Sequence, residues 1–327
     1  MSLLSVTDLH VRIGEIPVVS GLSFVLERGG RLGLIGESGS GKSMAALALI
    51  GLLPDVASAS GRIEFDGQEL IGLSERRRCA LRGDRVGMIF QEPMTALNPV
   101  MRVGNQVAEV VRVHRGGSRR STLARALELL QRVEFPDPER IARAYPHELS
   151  GGQRQRIMVA MAVACSPSLV LADEPTTALD VTVQAQMLRL LARLVAEEES
   201  ALILISHDLA VVSGMCDRIM VMYGGKIVER GPTASVLEAP RHPYTLGLLA
   251  TSSAMSVSAD GGAVLPTIPG SVPALGRFPA GCVFRSRCPR ATAKCRTEPP
   301  LTGELHGFAC WHPVDTGALA QTVGGVA

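Results

Sequence analysis

The chain has 327 residues, of which 46% are hydrophobic and 20% charged, so it can build one large domain with an appendage or two modest domains. Its formal charge of +2 gives no concentrated basic face, which argues against nucleic-acid binding. Because the first ten residues contain Asp8 and no basic stretch, and the longest apolar run spans only 44–53, we expect a soluble, cytosolic chain without signal peptide or membrane span.

Short apolar runs alternate with longer helical patterns along the chain, which is typical of an α/β fold with parallel strands. The predicted strands are 31–35, 62–65, 86–90, 169–172 and 201–205, followed by a hairpin over 218–229. The predicted helices are 42–53, 153–164, 181–198 and 209–215.

Two further segments differ from the rest of the chain in composition and periodicity. Residues 103–144 are mostly helical, with Pro136 and Pro138 in a break, which predicts an inserted helical subdomain. Residues 252–279 are rich in Ser, Gly and Pro and have little periodicity, so they are predicted to form a linker or an extended wrap.

The strongest chemical signal is the sequence GESGSGKS, which fits G-x-x-x-x-G-K-[ST] and lies between a predicted strand and a predicted helix. Glycines let successive backbone N–H groups turn toward an anion, and the helix N-terminus adds positive potential. Lys42 is then placed to reach the β- and γ-phosphates of a nucleotide, and Ser43 to ligate Mg²⁺. The predicted nucleotide-binding residues of this loop are Gly36, Glu37, Ser38, Gly39, Ser40, Gly41, Lys42 and Ser43.

A phosphate-binding loop needs a carboxylate for its metal, on a strand beside it. The apolar strand LVLA is followed at once by Asp173 and Glu174. Asp173 can hold Mg²⁺ through water, and Glu174 is placed to polarise an attacking water. Two acids at a buried strand end are costly unless they serve a cation or a reaction.

The sequence LSGGQRQR predicts a second anion-binding helix terminus, at the start of the helix 153–164. One chain already has a phosphate site in its P-loop. A second one makes sense if it closes over a nucleotide held by another subunit. Its residues are Ser150, Gly151, Gly152 and Gln153.

With these motifs the chain resembles the ATP-binding subunits of ABC transporters, whose signature is LSGGQ. The resemblance covers about 3–238 and implies an α/β P-loop NTPase (RecA-like) fold with an inserted helical subdomain. It also implies roles for three further residues. Gln91 would be the Q-loop glutamine, a catalytic and cofactor-binding residue that touches the metal and water, and His207 the catalytic switch histidine that contacts the γ-phosphate. Asp180 belongs to the D-loop TALD. Members usually stack an aromatic ring on adenine from the first strand, but Ile13 stands at that position here.

The C-terminal part of the chain indicates which branch of this family the chain resembles. The segment APRHPYTLGLL, followed by PGSVP and a Cys-rich stretch, is similar to the dipeptide, oligopeptide and nickel importer ATPases. We therefore predict an ABC ATPase domain over 1–238, with its helical subdomain at about 95–165, and a Cys-rich C-terminal extension over 239–327.

The resemblance implies an ATPase, with ATP and Mg²⁺, that powers import of di- or oligopeptides. It implies a peripheral position on the cytoplasmic face of the cell membrane. The implied partners are a related, non-identical ATPase subunit, two transmembrane permeases and an extracytoplasmic solute-binding protein. Import of nickel or another small solute is the first alternative. A soluble ABC ATPase of translation or repair is the second. A kinase that acts on a small substrate is the third, and it leaves LSGGQ and HPYT unexplained.

Four of the seven cysteines lie in the last 46 residues: Cys282, Cys288, Cys295 and Cys310. Their gaps of five, six and fourteen residues are wider than the C-x₂₋₄-C of ordinary zinc sites and lack the tight runs of bacterial ferredoxins, so spacing leaves the metal open. A reducing cytosol favours metal binding over disulfides. The resemblance implies a [4Fe–4S] cluster, carried by some members; zinc, disulfides and metal-free cysteines are the alternatives. Three arginines lie between these cysteines: Arg285, Arg287 and Arg290. Their positive charges would offset the negative charge of a cysteine-ligated cluster.

Overall fold

Two β-sheets organise the described part of the chain, which comprises residues 2–177, 179–257 and 267–315 of a computed structural model. An antiparallel sheet has the order β2-β1-β4-β5, built from β1 (Ser2–Ile13), β2 (Ile16–Glu27), β4 (Ala57–Phe65) and β5 (Gln68–Glu69). The larger sheet has the order β11-β10-β9-β3-β8-β7-β6, with the bounds β3 (Arg31–Ile35), β6 (Val86–Ile89), β7 (Leu169–Asp173), β8 (Ala201–Ser206), β9 (Arg218–Tyr223), β10 (Lys226–Pro232) and β11 (Gly307–Phe308).

The centre of the larger sheet is parallel. Strands β6, β7, β8, β3 and β9 run in the same direction, whereas β10 and β11 are antiparallel. All residues of β7 and β8 are buried, which fits strands covered on both faces and explains their unbroken apolar runs. The sequence-based predictions of β3, β6, β7 and β8 are confirmed within one residue at each end.

Helices cover this sheet and fill the interval between β6 and β7. Their bounds are α1 (Lys42–Leu49), α2 (Glu75–Leu81), α3 (Pro93–Ala96), α4 (Val103–Arg115), α5 (Arg119–Arg132), α6 (Pro138–Arg143), α7 (Gly151–Ala162), α8 (Val181–Glu197), α9 (Leu209–Ser213), α10 (Thr233–Glu238) and α11 (Pro243–Val257). None of the helices in the described ranges is both long and apolar enough to cross a membrane.

Helices α3 to α7 follow one another between β6 and β7 and share one hydrophobic core with the large sheet. Val107 of α4, Leu129 of α5 and Ile141 of α6 are all buried in that core. The predicted break between helices is confirmed: Asp137 caps α6 through the backbone N–H of Arg140, and Pro138 occupies its first turn.

The predicted linker over 252–279 is wrong at its start, since α11 continues to Val257. The segment 252–257 contains neither Gly nor Pro, so nothing in it stops the helix that begins at Pro243. Residues 258–266 of that linker, Ala178 of the D-loop and residues 316–327 of the C-terminal extension lie outside the described residues.

The chain beyond residue 239 packs on the large sheet through hydrogen bonds and aromatic rings. Strand β11 pairs with β10 at its edge. The side chain of Tyr223, on β9, makes edge-on contacts with the rings of Tyr244, Phe278 and Phe284, at centroid distances of 4.7, 5.8 and 5.2 Å. Burial lowers the pKa of nearby His242 to about 3, so this imidazole is neutral.

Glu229 of β10 holds this C-terminal part at its centre. Its side chain is fully buried and accepts hydrogen bonds from the backbone N–H groups of Arg241 and His242, at 2.7 and 2.9 Å. The ring of His306 lies 2.7 Å from the same carboxyl group. One buried carboxyl group on the sheet edge therefore satisfies donors from two separate segments of the extension.

We predict that Glu229→Ala lowers the free energy of unfolding by about 2–4 kcal/mol, because it leaves buried donors without an acceptor. Glu298→Ala is the matched control, since exposed Glu298 pairs only with Lys226 at the surface, and its effect should stay below about 1 kcal/mol. Urea unfolding followed by circular dichroism measures both. Equal stability of the Glu229 variant and the parent chain would contradict this role.

Candidate functional site

A cavity of about 1120 Å³ opens at the carboxyl edge of the parallel strands. The loop after β3 forms its floor, and the residues that follow β6, β7 and β8 reach it from the side. The carboxyl edge of an open parallel sheet is the usual ligand site of such folds. The described side chains that line the cavity and were predicted from the sequence are Glu37, Ser38, Ser40, Lys42, Ser43, Gln91, Glu174 and His207.

The loop 36–41 turns tightly around the Lys42 ammonium group. Lys42 Nζ donates to the carbonyl oxygens of Gly36 and Glu37, at 2.7 and 3.0 Å. A Cβ atom at Gly36 would lie 2.2 Å from the carbonyl oxygen of Met222, so only glycine fits there. Burial lowers the pKa of Lys42, although three neighbouring carboxylates raise it. A buried amine in a glycine-rich turn at the N-terminus of a helix is suited to bind phosphate.

Asp173 ends β7 directly opposite the first turn of α1. Ser43 Oγ donates to Asp173 Oδ1 at 3.2 Å. Burial raises the pKa of Asp173; the hydrogen bond from Ser43 opposes this shift, and the charge of Glu174 adds to it. A hydroxyl and a carboxylate oxygen at this distance form a donor set that suits Mg²⁺.

Glu174 is the point where three neighbouring polar groups meet. Its Oε2 atom lies 3.2 Å from Gln91 Nε2, 3.0 Å from Thr177 Oγ1 and 3.4 Å from His207 Nδ1. The backbone of Glu174 has φ +45°, a conformation that L-residues rarely adopt and that occurs most often at functional sites. The structure thus brings together Gln91, Glu174 and His207, which are far apart in sequence. Thr177 was known only as part of the D-loop motif and had no separate signal.

The signature residues lie elsewhere. Ser150 caps α7 in a capping box with Gln153, and Gly152 lies against Val183 in the first turn of α8. Asp180 caps α8 through the backbone N–H of Val183, at 3.0 Å. None of the residues 150–153 is among the described residues that line the cavity. The exposed N-terminus of α7 is therefore a separate surface from the P-loop of the same chain.

The C-terminal extension contributes a wall of the cavity that sequence reasoning missed. Seven residues of its segment 267–275 line the cavity, as do Ile13 and Val18. The Arg287 guanidinium forms a two-point ion pair with Glu37 of the P-loop, at 2.6 and 3.1 Å. Arg287 therefore faces the P-loop. Its position in the sequence had predicted that it would offset the charge of a cluster at the cysteines, and this prediction is wrong because its guanidinium pairs with Glu37.

The four C-terminal cysteines lie near one another as free thiols. The backbone N–H of Cys282 donates to the carbonyl oxygen of Cys295 at 3.0 Å. The pKa of Cys310 is raised to about 11, mainly by burial and also by the other three thiols, against the hydrogen bond from the backbone N–H of His312. Burial also raises the pKa of Cys288, against which the Arg290 charge acts. Throughout the described ranges, no three His, Cys, Asp or Glu side chains form an arrangement that could hold a metal ion.

Comparison with known proteins identifies relatives over nearly the whole chain. Residues 19–177 match the family model described as ABC transporter, and 228–295 match the oligopeptide/dipeptide transporter C-terminal region. The oligopeptide transport ATP-binding protein OppD of Salmonella typhimurium is 46% identical over 96% of this chain and 94% of its own length. The dipeptide transport ATP-binding protein DppD of Escherichia coli is 45% identical over 96% of this chain and 98% of its own.

A solved structure shares the fold. The dimeric ATP-binding cassette MJ0796, in a post-hydrolysis state bound to ADP and phosphate, superposes with a TM-score of 0.62 at 28% sequence identity. The match covers 70% of this chain and 98% of that one. The part of this chain that exceeds the cassette is about the size of the C-terminal extension.

Proposed function

The chain belongs to the peptide branch of the ABC transporter ATP-binding subunits, and we propose that it hydrolyses ATP to power import of di- or oligopeptides. The observation that carries the hydrolytic part is that the P-loop and Glu174 line one cavity, while Asp173 is hydrogen-bonded to the P-loop residue Ser43. The peptide part is supported by the relatives, which are oligopeptide and dipeptide transport ATP-binding proteins, and by the matching C-terminal region.

Each group in the cavity has a place in the chemistry. The P-loop N–H groups and Lys42 bind the β- and γ-phosphates. Ser43 and Asp173 would hold Mg²⁺, which neutralises phosphate charge when it is bound. Glu174 accepts a proton from the attacking water. Gln91 and His207, which contact the Glu174 carboxylate, fix its orientation toward the γ-phosphate position.

We predict that Glu174→Gln retains ATP binding but lowers the hydrolysis rate by about 10²–10⁴-fold, the usual loss when a general base is removed. Lys42→Ala is the contrasting variant and should lose ATP binding itself. Fluorescent-nucleotide titration and phosphate release measure the two properties separately. Near-normal turnover in Glu174→Gln would remove Glu174 from the reaction.

A second subunit would complete each ATP site. The residues that would act across the interface are Ser150, Gly151, Gly152, Gln153 and Asp180. Their support is the exposed helix terminus at Ser150, which has the geometry of a phosphate site and does not line the chain's own cavity. The relative of known structure is a dimeric cassette. We propose a related, non-identical ATPase chain as the partner.

The other proposed partners are two transmembrane permeases and an extracytoplasmic solute-binding protein, with this chain at the cytoplasmic face. Exposed apolar side chains between β6 and β7 support a docking surface for the permeases. Met94 and Val100, which follow Gln91 closely in the chain, are 51% and 82% exposed. We assign the ATPase domain to 1–238, its helical subdomain to about 95–165 and the Cys-rich extension to 239–327.

Deletion of the gene should abolish uptake of labelled di- or oligopeptides, and the intact gene supplied in trans should restore it. The gene carrying Glu174→Gln is the matched control, because the chain is then present but cannot turn over. Unchanged peptide uptake together with reduced nickel accumulation would favour the alternative solute.

We also propose a [4Fe–4S] cluster on Cys282, Cys288, Cys295 and Cys310. Its support is the chemistry of the donors: four free thiols, two buried and two half-buried, of which Cys282, Cys288 and Cys295 lie close enough to raise the pKa of Cys310. The thiols would have to move closer together to ligate it, because they do not form a metal-holding group as they stand. When bound, such a cluster would stabilise this helix-poor segment.

Protein purified without oxygen should be brown, absorb broadly near about 400 nm as thiolate-ligated clusters do, and lose the colour on Cys288→Ser. Cys79→Ser is the control, since Cys79 is an exposed thiol outside the C-terminal extension. Colourless protein with stoichiometric zinc, or without metal, would contradict the cluster and leave the transport assignment intact.

A further inference from the structure

The cavity lining combines two kinds of side chain. The P-loop side chains are polar and charged, whereas the aliphatic side chains come from two other parts of the chain. Ile13 and Val18 come from the hairpin of β1 and β2. The others come from the C-terminal extension: Ile268, Val272, Pro273, Ala274 and Leu275. A ligand with phosphates and an apolar, flat group would find a suitable lining for each part in this one cavity.

No Phe, Tyr or Trp is among the described residues that line this cavity. The aliphatic end therefore has to bind a base by van der Waals contact and exclusion of water, without ring stacking. Aliphatic side chains from the hairpin and from the extension can do this together for a planar base. The arrangement depends on the C-terminal extension, because most of these aliphatic side chains belong to it.

We propose that residues 268–275 of the C-terminal extension form the wall that binds the adenine base of ATP, and that Arg287 is the positioning residue that holds this wall on the P-loop. The proposal rests on the proposed function, since it concerns the same nucleotide. It assigns a nucleotide-binding role to a segment that lies outside the ATPase domain assigned above.

The wall is fixed to the hairpin at one end. Gly276 has φ +78°, and a Cβ atom added to it would lie 3.3 Å from the Ile16 side chain. The backbone N–H of Arg277 donates to the carbonyl oxygen of Ala274 at 2.9 Å, which closes a turn directly after Leu275. This turn places the wall against the tip of the β1–β2 hairpin, whose strand residues Ile13 and Val18 line the same cavity.

Arg287 fixes the other end. Its Nε atom donates to the carbonyl oxygen of Pro269 at 2.8 Å, and Nη2 lies 3.4 Å from that of Ile268. The same guanidinium forms the two-point ion pair with Glu37. The backbone N–H of Glu37 also donates to the Tyr244 hydroxyl at 2.8 Å, which ties the P-loop to α11. One buried side chain thus joins the wall to the phosphate-binding loop.

The first test compares two leucines of the extension with matched exposure. Leu275 lines the cavity and is 41% exposed; Leu301 is 39% exposed and does not line it. Calorimetry would measure binding of Mg²⁺–ATP and of Mg²⁺–tripolyphosphate, which has phosphates but no base, to the full chain. Leu275→Ser should weaken ATP binding about three- to ten-fold and leave tripolyphosphate binding unchanged, because only apolar contact with the base is lost. Leu301→Ser should change neither.

Unchanged ATP affinity in Leu275→Ser, or equal losses for ATP and tripolyphosphate, would overturn the proposed wall. Failure of the proposed function has a different signature, because the parent chain would then bind neither compound.

The second test concerns Arg287. If it acts by placing the wall, Arg287→Ala should raise the KM for ATP by about ten-fold with little change in kcat, and Arg287→Lys should recover part of that loss. In a Leu275→Ser background the added effect of Arg287→Ala should be smaller than in the parent chain, since the Leu275 contact that the wall would supply is already lost. Additive effects of the two changes would assign Arg287 to the P-loop alone and overturn its positioning role. If Arg287→Ala does not fold, Arg287→Lys in the same cycle decides.

Discussion

The structure depends on the parallel arrangement of β6, β7, β8 and β3, because it brings four chain segments to one edge of the sheet. Polar groups that would be costly to bury elsewhere end these strands or follow them in the chain. Lys42 and Ser43 follow β3 after the P-loop, Asp173 ends β7 and is followed by Glu174, Gln91 follows β6 and His207 follows β8. Largely buried strands hold these groups, while the chemistry takes place just outside the sheet.

The ionisable groups at this edge constrain one another. The buried Asp173 carboxyl resists ionisation, and the buried Lys42 amine resists protonation. Both shifts have the same cause, since burial disfavours the charged form of either group. A nucleotide with its metal would supply the opposite charges on both sides. The site is therefore built for a ligand that carries strong negative charge together with a cation.

The C-terminal extension is integrated into the ATPase fold at two buried polar positions. Glu229 receives the donors of one part of it, and Glu37 receives the guanidinium of Arg287 from another. The second contact joins a Cys-rich segment to the nucleotide loop. Arg287 directly precedes Cys288 in the chain. The signature residue Ser150, in contrast, is exposed at the N-terminus of α7.

The sequence by itself determined the elements and motifs whose signals are local. The buried strand 31–35, the glycines of the P-loop and the acidic end of β7 could be predicted because their spacing follows directly from backbone geometry and phosphate chemistry. The resemblance then supplied Gln91 and His207, which have no local signal. Only the tertiary structure decided that Gln91, Thr177 and His207 share one oxygen of Glu174, since that requires the register of three parallel strands. It also decided that Arg287 faces the P-loop and that residues of 268–275 line the same cavity as Ile13. No sequence pattern encodes such contacts, because they join residues up to 250 positions apart, as Glu37 and Arg287 are, through packing alone.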